Sequence, residues 1–151
     1  MYKNSLRSYQ KVEQATISGR ETEARVLTDA AVKLKYCRDN WNAADRRAKL
    51  DEALTYTQRV WSLIQGDLLD ESNPLPKNLK QNILTLSAFI DKRIFNIMAY
   101  PEPQKLNIII DIHLNLAAGL RASVQTIQQD KLQATKSDKF KPTLQDKLCV
   151  A

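Results

Sequence analysis

The stretch Ile110-Asp-Ile-His-Leu-Asn-Leu116 decides the fold class, because it reads in two ways. Apolar and polar residues alternate strictly, as they do along a half-buried strand. The same residues also continue the spacing Leu106, Ile109, Ile110, His113, Leu116, Ala117 and Leu120, which lines one side of a helix. A single strand in an otherwise helical chain leaves its backbone N–H and C=O groups without partners. The stretch is therefore assigned to a helix over about residues 104–122. Ile108, Ile112 and Leu114 then fall off the main stripe. A helix apolar on more than one side is either central in its bundle or covered by a partner.

Upstream, Pro101-Glu-Pro103 breaks the chain, and a helix is predicted before it over residues 77–99. Its stripe is Leu79, Ile83, Leu86, Ile90, Ile94 and Ile97, with Phe89 and Phe95 on the flanks. The linker Asp67–Pro76 contains Ser72-Asn-Pro-Leu-Pro76, which disfavours helix. Before it, Leu50, Ala53, Leu54, Thr57, Val60, Trp61 and Ile64 predict a helix over residues 46–65, with Gly66 at a left-handed C-cap. A further helix over residues 20–39 carries Val26, Leu27, Ala30, Ala31, Leu34 and Cys37. Ser18 is placed as its N-cap, with Glu21 three residues on completing a capping box. Residues 2–17 read as a short helix or an extended arm. Residues 123–151 are polar: 136–142 read as loop or disorder, and 143–151 as a short terminal helix. The expectation is an all-α fold, a four-helix up-down bundle over residues 1–122 with an N-terminal arm, followed by a basic polar tail over 123–151.

Composition agrees and removes several chemistries. Only three Gly and five Pro occur among 151 residues, too few for the frequent turns of a sandwich or barrel. The glycines stand far apart, at Gly19, Gly66 and Gly119, so no phosphate-cradling loop forms from them. His113 is the one histidine, and Cys37 and Cys149 the two cysteines, without zinc or redox spacing. No metal site or cofactor is implied, and the cysteines are expected to be reduced thiols. His113 is expected inside the bundle rather than acting as a base. Asp51-Glu52 and Asp70-Glu71 are adjacent pairs, which do not face one another on a helix. No enzyme is expected. Trp61 is read as core and Trp41 as core edge, with Tyr9 and Tyr36 as interface candidates. No apolar run reaches membrane-spanning length, and the polar start has no secretory h-region, so the expected location is the cytoplasm. The net charge is +6, and residues 121–151 hold six of the basic and three of the acidic side chains. Their lysines interleave with acids and have only Phe140 as an aromatic neighbour, which makes RNA a weakly supported partner.

The ordered features resemble the FlaF family of flagellar biosynthesis regulators. They are Tyr9, Ser18-Gly-Arg20-Glu21-Thr-Glu23, Ala53-Leu-Tyr-Thr-Gln-Arg59-Val-Trp61, Leu75-Pro76-x-x-Leu79, Leu86-Ser-x-Phe89, and an Ile-rich segment ending Ala117-Ala-Gly119-Leu120. The likeness covers about residues 5–120. Family members commonly have Ser-Pro where this chain has Ser18-Gly19, and Asn where it has Thr57-Gln58. The resemblance implies a small cytoplasmic protein of the alphaproteobacterial type, needed for flagellin synthesis or export. Its implied partners are flagellin and FlbT, a translational repressor of flagellin. The layout is also similar to that of the flagellin export chaperone FliS, by analogy. Tyr9, Ile108, Ile112 and Leu114 are the residues expected to bind the partner.

Overall fold

The computed structural model describes the backbone of residues 2–138 and, within it, the side chains of residues 7–8, 10–12, 14–15 and 19–136. Four long helices, α1 (Tyr2–Asp39), α2 (Arg46–Leu69), α3 (Lys77–Ala99) and α4 (Asn107–Asp138), make an all-α bundle. A short 3-10 turn, Pro103–Leu106, leads into α4, and the described residues contain no strand. The alternating run 110–116 is thus helical, with Ile109, Ile110, His113 and Ala117 buried along one side. The bounds of α3 are those its sequence predicts.

Three expected boundaries are corrected. α1 does not start at Arg20 but runs through Ser18 and Gly19, so Ser18 and Glu21 form no capping box. Glycine in a helix interior costs only about 1 kcal/mol relative to alanine, and flanking Arg, Glu, Gln and Ala favour helix. Gly66 does not cap α2: no glycine has a positive φ, and the helix continues to Leu69. The added turn buries Leu68. The stop comes at Asp70, whose backbone is extended. Its carboxylate accepts hydrogen bonds from the Ser72 N–H (2.8 Å) and hydroxyl (2.7 Å). Those bonds hold the carboxyl below its usual pKa. α4 does not end near Ala122 but extends to Asp138, so residues 123–138 are helical. The short terminal helix expected over 143–151 lies outside the described residues.

The chain divides into two compact units. The unit Thr22–Ala118 has a continuous core: Leu34 from α1, Leu54 and Trp61 from α2, Ile90, Ile94 and Ile97 from α3, and Ile109 from α4. Trp41 and Ile112 pack half-buried against it. The Lys33 ammonium and the Glu52 carboxylate, 3.1 Å apart, lie equally far from the α1–α2 connection, as an antiparallel helix pair requires. The other unit joins residues 1–21 and 119–151. There the Arg20 guanidinium donates to the Ser123 hydroxyl (2.9 Å), and Arg121 pairs with Glu21 at 3.4 Å. Val124 is the one buried apolar side chain among its described residues.

Candidate interaction surface

Buried polar side chains of the core bond to other side chains or to the backbone, with one exception at His113. The Trp61 indole N–H donates to His113 Nε2 at 2.8 Å, and the two ring planes lie 22° from parallel. An accepting Nε2 places the imidazole proton on Nδ1. That atom is buried and has no hydrogen-bond partner. Burial penalises the charged ring and lowers its pKa to about 4. His113 is therefore a neutral, sealed side chain, and its neighbour Asp111 is exposed. Thr57 bonds back to the Ala53 carbonyl at 2.9 Å, one turn earlier. Among the described residues no group of His, Cys, Asp and Glu could hold a metal ion, and no helix is long and apolar enough to cross a membrane.

Of the four residues expected to bind a partner, Ile108, Ile112 and Leu114 have described side chains, all on α4. Ile112 packs against the core, half-buried. Ile108 and Leu114 are exposed, at 38% and 44%. Six positions separate them, so at about 100° per residue they stand about 120° apart around α4. Tyr9 lies on α1, and its side chain is outside the described residues. Ile108 and Ile112, one turn apart, stand on the same side of α4.

α3 offers more. Its inward side, Ser87, Ile90, Ile94 and Ile97, is completely buried. On the side turned away from these, Phe95 is 64% exposed, and Phe89 is exposed as well. Met98 is 53% exposed and Tyr100 follows at the helix end. Phe89, Lys92, Arg93 and Asn96 line a shallow, open cleft. The Arg93 guanidinium lies 5.7 Å from the Phe89 ring centroid, a cation–π distance. Asp91 is the one acidic residue of α3; it is half-buried and accepts a hydrogen bond from the Gln65 amide at 3.3 Å. The same amide donates to the buried Ser87 hydroxyl. The sequence signal for this surface is the pair Phe89 and Phe95, which lie outside an apolar stripe that is complete without them. Leu79 belongs to that stripe by spacing, yet it is exposed in the first turn of α3.

The family model described as FlaF, flagellar protein FlaF, matches residues 5–120. No curated protein and no solved structure matches the chain.

Proposed function

Starting from the chain's membership of the FlaF family of flagellar proteins, we propose that it promotes flagellin synthesis or export by binding flagellin directly. In this reading it is a non-catalytic, chaperone-like partner that works in the cytoplasm before export. Amphipathic segments of unexported flagellin would lie against exposed apolar helix surface, which shields them from premature polymerisation. The observation that supports this most is the exposed apolar surface on a bundle whose core is already filled, within the matched span. Exposed apolar clusters on a well-packed domain mark interaction sites.

The test is calorimetric titration of the full chain with flagellin at low and moderate salt. Binding at micromolar strength or tighter, with a negative heat-capacity change, is expected. An absence of binding at both salt concentrations sinks the reading. The alternative, post-transcriptional control of flagellin through FlbT or flagellin mRNA, would then be titrated in the same way.

A further inference from the structure

We infer that the outward face of α3 docks an amphipathic helical segment whose apolar stripe is bordered by acidic side chains. The inference deepens the flagellin-binding reading and rests on it only for the natural partner's identity.

The apolar part of the argument begins with what the core does not need. Ile90, Ile94 and Ile97 are completely buried and fill the inner side of α3. Phe89, Phe95 and Met98 remain exposed on the same helix. Phe89 and Phe95 stand on either side of Lys92, because successive residues turn by about 100°. Phe89, Lys92, Arg93 and Asn96, spaced at one and two helical turns, line the open cleft.

Charge selects the occupant. Between Phe89 and Met98 the basic groups are Lys92 and Arg93, and both line the cleft. Asp91, the one acid in that span, is half-buried and bonded to Gln65. A segment with acidic borders complements this surface, and a basic one is repelled. A second copy of the chain fits less well, since a two-fold contact sets each Lys92 and Arg93 against the same cations. Nucleic acid also fits less well, because two cations give few phosphate contacts.

Two synthetic peptides of about 18 residues, or five helical turns, test this. They share one leucine stripe and differ only in borders of Glu or Lys. Titrated into the full chain, the Glu-bordered peptide is expected to bind about tenfold tighter than the Lys-bordered one. Phe95→Asp should weaken that binding by about tenfold. The double variant Lys92→Glu/Arg93→Glu should lose affinity for the Glu peptide and gain it for the Lys peptide. A misfolded protein cannot show that gain. Equal affinity for both peptides, or undiminished Glu-peptide binding in both variants, overturns the inference. So does polyuridine binding, or concentration-dependent self-association, that replaces peptide binding and disappears in Phe95→Asp. Flagellin is titrated in parallel. Capture that both variants retain overturns the α3 assignment and leaves flagellin binding standing. Loss of flagellin binding alone, with the peptide results as expected, overturns only the flagellin reading.

Discussion

Helices α1 and α4 each contribute a stretch to both the unit Thr22–Ala118, which also holds α2 and α3, and the unit of residues 1–21 with 119–151, yet different forces hold the two units. The first buries Trp61 and a set of Leu and Ile side chains in one continuous cluster. Full burial of such side chains contributes about 1.5–3 kcal/mol each. Among its described residues the second buries Val124 and otherwise relies on polar contacts between side chains. Its Arg121–Glu21 pair is 40% and 56% exposed, and exposed pairs contribute about 0–1 kcal/mol. A helix that is continuous in the chain is therefore not uniform in stability along its length. Helix propensity carries some turns, and packing carries others.

The largest test of this contrast is Trp61→Ala. It should cost about 3–5 kcal/mol in denaturant unfolding, because it opens a large cavity and leaves His113 Nε2 without its donor. A loss near that of an exposed residue would break the picture of one shared core. Next in size is the pH dependence of unfolding. The folded state protonates His113 only near pH 4, whereas an unfolded chain does so near 6.5. Between those values the unfolded state binds more protons, so stability falls as the pH drops from 6.5 to 4. The fall amounts to about 3 kcal/mol. His113→Gln should flatten that part of the profile, and an unchanged slope would reassign it to carboxylates.

Smaller effects sharpen the other side of the comparison. Val124→Ala should cost about 1 kcal/mol or less, well under Ile94→Ala at about 2–5 kcal/mol. Thermal melts of the two variants would show whether the gap exists. Gly66→Ala should stabilise α2 by about 0.5–1 kcal/mol. The added methyl meets no atom within 4 Å, and the backbone there is already right-handed. A drop in melting temperature would refute that placement.

Much of the bundle was legible because apolar spacing is local information. The stripe from Ile83 to Ile97 fixed both the existence and the inward side of α3, and Pro76 and Pro101 bracket it. Trp61 and His113 were legible as core, but their mutual hydrogen bond joins residues 52 positions apart, and no local pattern encodes it. The capping box at Ser18 and the C-cap at Gly66 misled for an energetic reason. At Gly19 and Gly66 the preference to stop a helix is about 1 kcal/mol, and the favourable turns on both sides outweigh it. Leu68, buried beyond Gly66, is one visible part of that balance. On the surface, spacing identified Ile108, Ile112 and Leu114 as surplus to the main stripe of α4. It did not show that Ile112 packs inward, since that depends on which helix lies beside it. Phe89 and Phe95 were visible as flanking residues, and only their exposure distinguishes them from core-edge packing.

Cys37 carries a consequence of its own. Its thiol is free, 3% exposed, and sits in the shared core. Burial and the nearby Glu52 carboxylate raise its pKa, which keeps the nucleophilic thiolate scarce. The side chain is thereby a clock placed at the interior of the unit Thr22–Ala118. In a Cys149→Ser background, the speed at which a thiol reagent modifies Cys37 counts how often that interior opens to solvent. A bound partner that never touches Cys37 would still slow the clock by stabilising the closed state.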